Sequence, residues 1–157
     1  MPQSGHQQVS LIVRFIATGA FTGYTPLAPG TIASLLAVAF YAIPGAENPL
    51  LSGVLIIILF FIGVATASSM ERSFGTDPAI VVIDEFVGMW VSLWMLPKGL
   101  VITIVAFLLF RLLDIAKPFP VRRAEQLPGG WGVMMDDVVS GIYTNIIVRA
   151  VILLMHW

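Results

Sequence analysis

Long apolar runs broken by short polar or helix-breaking stretches dominate this chain from residue 31 onward. Five runs stand out, at residues 31–43, 50–69, 79–96, 99–116 and 138–155. All but the first approach the length of about 20 residues that a helix needs to cross a bilayer. The first is short and is expected to be a half-span shielded by its neighbours. Breakers fall between the runs: Pro44, Gly45 and Pro49; residues 75–78; Pro97, Lys98 and Gly99; and the stretch 118–132. Ahead of them, residues 9–20 are moderately apolar and carry Arg14, the pattern of an amphipathic helix on the surface or under the bundle. A Gly/Pro/Thr-rich loop at 23–30 follows. The expected fold is all-α: a polytopic membrane helical bundle of four to five hydrophobic helices plus an N-terminal amphipathic helix. No internal repeat is visible.

Composition sharpens this picture. Hydrophobic residues make up 58% of the chain and charged ones 11%, and the mean hydropathy is +0.95. A soluble domain is roughly half apolar and a quarter charged, so the chain reads as an integral membrane protein. A helical hairpin in a bilayer consumes about 40 residues, so residues 1–157 are expected to be a single domain. The net charge of −1 and the absence of a basic run leave nothing to track a nucleic-acid backbone. With no cysteine, disulfides, thiolate metal sites and cysteine nucleophiles are excluded. Residues 1–10 have no lysine or arginine ahead of an apolar run and no cleavage pattern, so no signal peptide is expected. His6 and His156 lie near opposite ends, which argues against a histidine base or phosphohistidine.

Charge placement carries the functional signal. If the five runs alternate across the membrane, Arg14, Arg72, Lys117, Arg122 and Arg123 gather on one side and Lys98 stands alone on the other. The positive-inside rule makes the richer side cytoplasmic. The same alternation brings Thr31, Asp84, Glu85, Asp114, Asp136 and Asp137 to that side from four different segments. A carboxylate in the hydrocarbon core costs about 3 kcal/mol on insertion scales. One shared site explains several of them better than four separate ones.

Asp84 and Glu85 are adjacent and point about 100° apart on a helix, so one can bind a metal while the other takes a backbone or arginine partner. Asp84, Gly88 and Ser92 share one helix face, as do Arg111, Asp114 and Lys117, and Asp137, Gly141 and Thr144. Asp136 is also suited to the N-terminus of a helix. Carboxylates converging beside cations suit a hard divalent ion such as Mg²⁺ that in turn binds a phosphate. Arg111, Lys117, Arg122 and Arg123 are candidates for the remaining phosphate oxygens, and Thr31 for capping a helix whose N–H groups attract an anion. Plainer roles compete. Thr31 can cap without a ligand, Arg111 and Asp114 can be a local ion pair, and Lys117, Arg122 and Arg123 can fix topology. Asp84 and Glu85 can be a buried structural pair with Arg111 or Arg72. Asp77, in a loop, is as well suited to a passive role as to a metal. Arg149 and Trp157 read as interfacial anchors on the far side.

Four stretches carry a resemblance: PLAPGTIAS at 26–34, DPAIVVIDEFVGMW at 77–90, FRLLDIAKPFP at 110–120 and GGWGVMMDDVVSG at 129–141. In order and over most of the chain they closely resemble the bacterial phosphatidylglycerophosphatase A family. Ala33 and Ser140 stand where small residues, often glycine and alanine, are usual. The resemblance implies an all-helical, Mg²⁺-dependent lipid phosphatase of the inner membrane. It would remove the terminal phosphate of phosphatidylglycerophosphate to give phosphatidylglycerol, with its site on the cytoplasmic side. The family's carboxylates fall on Asp77, Asp84, Glu85, Asp114, Asp136 and Asp137, with Thr31, Arg111 and Lys117 in matching positions. The expected arrangement has Asp84, Asp136 and Asp137, with Asp77, as metal ligands. Thr31, Arg111, Lys117 and Arg122 would meet the substrate, and Glu85 or Asp114 would orient the attacking water. A CDP-alcohol phosphotransferase is the nearest rival, but its DGxxAR motif is absent. An ion-coupled transporter would need acids continuing across the bilayer, and they cluster toward one face.

Overall fold

The computed structural model describes residues 9–155; His6, His156 and Trp157 lie outside that range. Within it the chain is all-helical, with seven α-helices and one 3₁₀ turn: α1 (Leu11–Ala17), the 3₁₀ turn (Thr22–Tyr24), α2 (Pro29–Tyr41), α3 (Pro49–Phe74), α4 (Ile83–Leu93), α5 (Leu100–Ala116), α6 (Val121–Ala124) and α7 (Gly130–Leu154). Two of these helices, α3 and α7, are long and apolar enough to cross a membrane.

Local chemistry explains most boundaries. The Asn48 side chain caps α3 by accepting from the Leu50 and Leu51 N–H groups, Pro49 opens the helix, and Gly75 at φ 93° closes it. The N-terminal helix is shorter than the 9–20 stretch suggested, because Gly19, Ala20 and Phe21 all adopt left-handed backbone angles. Within residues 118–132, which read as a breaker, α6 makes a single turn and α7 has already begun at Gly130. That early start is a matter of close approach. A Cβ on Gly130 would collide with the α3 backbone at Val64, and one on Gly132 would lie 2.5 Å from the carbonyl oxygens of Glu125 and Leu127.

The largest departure is α4. The apolar run 79–96 suggested a near-span, but only 11 residues are helical. Residues ahead of the helix are drawn into tertiary contacts instead: the Val82 N–H donates to Ala17 O at 2.9 Å, and Gly23 packs directly on the Ile80 carbonyl. At its other end the exposed carbonyls of α4 are met by side chains. Tyr41 Oη donates to Leu93 O at 2.9 Å, Asn145 Nδ2 to Ser92 O at 3.0 Å and to Trp94 O at 2.8 Å, and Arg149 Nη2 to Trp94 O at 2.9 Å. Arg149, expected as an interfacial anchor, therefore finishes a neighbouring helix.

Helix α4 forms the centre of the bundle. Val87 and Ile83 join Met70, Ala67 and Met134 in one buried cluster, and Met89, Trp90 and Leu93 join Ala37, Ala106 and Phe110 in another. The crossing of α4 with α7 is glycine-lined. A Cβ on Gly88 would lie 2.8 Å from Asp137 O, and one on Gly141 2.5 Å from Gly88 O and 3.0 Å from Val91 Cβ. Gly141→Ala is expected to lower stability by about 1–3 kcal/mol, the overpacking cost, which exceeds the ~1 kcal/mol that alanine gains in a helix. Thermal unfolding in detergent measures this, and an unchanged midpoint would contradict it. The same crossing sets Asp137 against the start of α4.

Candidate active site

The helices alternate in direction, so the starts of α2, α4 and α7 and the ends of α3 and α5 meet at one end of the bundle. That end holds most of the residues singled out in the sequence. A cavity of about 280 Å³ is lined there by Pro29, Gly30, Asp77, Asp84, Glu85, Asp114, Lys117, Asp136 and Asp137, among others.

Glu85, in the first turn of α4, is the hub. Its carboxylate pairs with the Arg111 guanidinium of α5, and Arg111 Nη1 also lies 3.1 Å from Asp114 Oδ2, one turn further on. Ser34 of α2, fully buried, has its Oγ within hydrogen-bonding distance of Glu85 Oε2 at 3.2 Å and of Gly30 O at 2.9 Å. Glu85, Asp114 and Asp137 each offer a carboxylate oxygen within 4.8 Å of the others. Asp137 is 2% exposed, and both its Oδ2 and Asp84 Oδ1 are buried without a hydrogen-bond partner. Arg111 thus pairs with two of these carboxyl groups, while no ion pair among the described residues reaches Asp84 or Asp137, an arrangement that like-charge repulsion opposes unless a further cation or protons are present. All-oxygen ligands with unpartnered buried oxygens fit a hard divalent cation.

Lys117, at the end of α5 in a left-handed conformation, bridges Asp136 Oδ2 at 2.8 Å and Glu125 Oε1 at 2.7 Å. Burial works against its charge, but the hydrogen bonds to both carboxylates outweigh that and hold its pKa above the ordinary lysine value. Asp136 is thereby occupied: its Oδ1 accepts from the Asp137 N–H at 3.0 Å. It is the seventh residue of α7, well inside the helix, and so is not the N-terminal carboxylate the sequence suggested. Asp77 sits in a loop at φ 46°, its N–H donating to Glu71 Oε1 at 3.0 Å. It is shared with an adjoining acidic hollow of about 320 Å³ that Glu71, Glu125 and Asp136 also line.

Of the four ligands expected from sequence, Asp137 belongs to the tight triad, while Asp77, Asp84 and Asp136 line the same cavity. Glu85 and Asp114, expected to orient water, supply the other two corners of the triad. Two expected substrate-binding residues are not among those lining the cavity. Helix α2 opens at Pro29 with Ala28 at its N-cap, so Thr31 lies inside the first turn and does not cap. Arg122 is exposed on α6, and Arg123 stacks over the Phe119 ring at 5.0 Å. Sequence reasoning passed over Ser34 and Gly30. Their i, i+4 spacing was the available signal, but only the packing of α2 on α4 reveals that a Cβ on Gly30 would collide with the Glu85 carboxylate.

Comparison with known proteins identifies the family. The family model for phosphatidylglycerophosphatase A matches residues 15–152. The chain belongs to the phosphatidylglycerophosphatase A family. Curated relatives named phosphatidylglycerophosphatase A come from Escherichia coli, 35% identical over 81% of this chain and 76% of that protein, and from Haemophilus influenzae, 34% identical over 92% and 93%. A Bacteroides thetaiotaomicron relative, provisionally named a phosphatidylinositol-3-phosphatase, is 38% identical over 88% of this chain and 92% of its own length. No solved structure matches the chain. The residues the family match spans include the whole of the acidic cavity.

Proposed function

We infer that this protein is a phosphatase that hydrolyses phosphatidylglycerophosphate to phosphatidylglycerol and inorganic phosphate. Family membership supports the activity, and the observation that carries its chemistry is the carboxylate triad of Glu85, Asp114 and Asp137 against Arg111. Those three carboxylates are the proposed Mg²⁺ ligands, in place of the expected Asp77, Asp84, Asp136 and Asp137, because among the described residues they bring three carboxylate oxygens within 4.8 Å of one another. When bound, Mg²⁺ would polarise the phosphate and offset the charge that develops on it.

The chain's own groups supply the rest. Arg111, with Nε buried and unpartnered, and Lys117 face the cavity as the cations for the remaining phosphate oxygens. Asp84, with its free Oδ1, is the proposed acceptor of a proton from the attacking water, because Glu85 and Asp114 are engaged with Arg111. The water oxygen bonds to phosphorus as Asp84 takes one of its protons, the ester bond to the glycerol oxygen breaks, that oxygen takes the same proton back from Asp84, and phosphate leaves. Asp77 lines the rim.

The proposed setting is the bacterial inner membrane, with one domain over residues 1–157. There α2, α4 and α5 lie within the bilayer beside α3 and α7, and the site lies near the cytoplasmic face, where Arg72, Arg122 and Arg123 gather. The test is phosphate release in detergent micelles from phosphatidylglycerophosphate and, separately, phosphatidylinositol 3-phosphate, each with Mg²⁺ or EDTA. Release that prefers phosphatidylglycerophosphate and stops in EDTA is the expected result. Preference for the inositol lipid would overturn the substrate assignment, and undiminished release in EDTA the metal.

A further inference from the structure

Two buried serines of the bundle differ in one respect. Ser34 on α2 and Ser92 on α4 are both fully inaccessible, and each follows by four residues a glycine whose carbonyl oxygen lies 2.9 Å from its Oγ, Gly30 for Ser34 and Gly88 for Ser92. For Ser92 that helical bond is the whole of its side-chain hydrogen bonding among the described residues. Ser34 has a second acceptor in reach, Glu85 Oε2 at 3.2 Å. A hydroxyl carries one proton, so Ser34 donates to one of the two at a time. An ionised carboxylate in a site poor in water is a stronger acceptor than a peptide carbonyl, so Glu85 draws the proton whenever it is charged.

The donors that Glu85 receives fall on one oxygen. Arg111 Nη1 and Ser34 Oγ meet at Oε2, whereas Oε1 lies against Gly30, where a Cβ would collide with it. Gly30 and Glu85 both line the acidic cavity. An arginine left alone with a carboxylate favours a two-pronged bond to both oxygens, which would consume the oxygen a metal needs. Ser34 holds Oε2 from the α2 side, and glycine at position 30 leaves room for Oε1 beside the cavity.

We propose that Ser34 is a positioning residue: by donating to Glu85 Oε2 it keeps Oε1 of the same carboxylate free for the divalent cation shared with Asp114 and Asp137. The proposal rests on the metal-dependent phosphatase reading above and deepens it, since Ser34 acts through Glu85. Outer partners of metal ligands typically contribute about ten- to a hundredfold in metal affinity.

The experiment measures Mn²⁺ binding to the purified full-length protein in detergent without substrate, from the electron paramagnetic resonance signal of the free ion. It compares wild type, Ser34→Ala, Ser34→Cys and Ser92→Ala, with the thermal midpoint of each recorded in EDTA. Ser34→Ala is expected to bind Mn²⁺ about tenfold or more weakly, and the Mg²⁺ concentration giving half-maximal phosphate release should rise by the same factor. Ser34→Cys, which keeps the space filled with a weaker donor, should fall between Ser34→Ala and wild type. Ser92→Ala, which loses an equivalent buried hydroxyl with no carboxylate in reach, should bind Mn²⁺ as wild type does. Lost packing alone lowers the EDTA midpoint and leaves affinity unchanged. Wild-type affinity in Ser34→Ala would therefore overturn the proposal and leave the phosphatase reading intact, and should that variant not fold, wild-type affinity in Ser34→Cys would do the same. Equal loss in Ser92→Ala would overturn it too. A wild type that binds no Mn²⁺ would remove the metal reading and this proposal with it. Weak Mn²⁺ binding by Ser34→Ala beside a wild type that releases no phosphate would remove the phosphatase reading and leave the role of Ser34 in place.

Discussion

Asp137→Asn is expected to abolish phosphate release while making the metal-free protein more stable. Asp137 is nearly inaccessible, its Oδ2 has no partner, and it shares a small volume with Glu85 and Asp114. The amide keeps the shape of the side chain but removes one of the crowded negative charges, which relieves repulsion in the empty site. It also removes a proposed ligand. Metal-ion stabilisation of a transition state amounts to several kcal/mol, so kcat should fall by a factor on the order of a thousand. Thermal melts in EDTA and in Mg²⁺ separate the two effects. The variant should melt higher than wild type in EDTA and gain less from added Mg²⁺. A variant that keeps wild-type turnover would remove Asp137 from the site, and one that melts lower in EDTA would show that the carboxylates do not repel one another there.

The second large effect concerns Arg111. Its guanidinium is the cation that holds Glu85 and Asp114 together, and all three side chains are only 13–15% exposed. Removing one partner of such a group leaves uncompensated buried charge, typically a loss of about 3–5 kcal/mol. Arg111→Ala should therefore destabilise the protein by that order and eliminate activity. Combining it with Glu85→Gln should recover much of the stability and none of the activity, because the amide no longer needs a cation. If Arg111→Ala unfolds at the wild-type midpoint, the pairing carries no net stability and the site is held by its backbone crossings alone.

Membership of the site was largely legible in the sequence, because carboxylates in apolar runs are rare enough to draw attention one by one. The helix directions followed from the order of the runs. What escaped was the division of labour among the acids. It depends on which carboxylate a cation has already claimed: Arg111 takes Glu85, one of the pairings the sequence offered, but Lys117 takes Asp136, which spacing along a helix does not give. Residues Thr31 and Asp136 were misread for a related reason. Both look like helix starts, yet α2 begins two residues before Thr31 and α7 six before Asp136. In the second case the cause is a glycine-lined contact with α3 that hydrophobicity does not register. Hydrophobicity likewise overstated α4, since the apolar residues before it form a turn, closed by the Val81 N–H on Pro78 O, that packs against α1 and the 3₁₀ turn.

The capping of α4 has a consequence for how the protein is made. Its terminal carbonyls depend on Asn145 and Arg149, which leave the ribosome about 50 residues after the helix itself. On the proposed placement of α4 within the bilayer no water stands in for them, and the helix is too short and too acidic to settle in lipid alone. Its final seat is therefore available only after α7 has been synthesised. Assembly of the acidic end is tied to completion of the chain, and a product truncated before residue 145 retains Glu85 on a helix that keeps its Tyr41 bond but lacks the caps that α7 supplies.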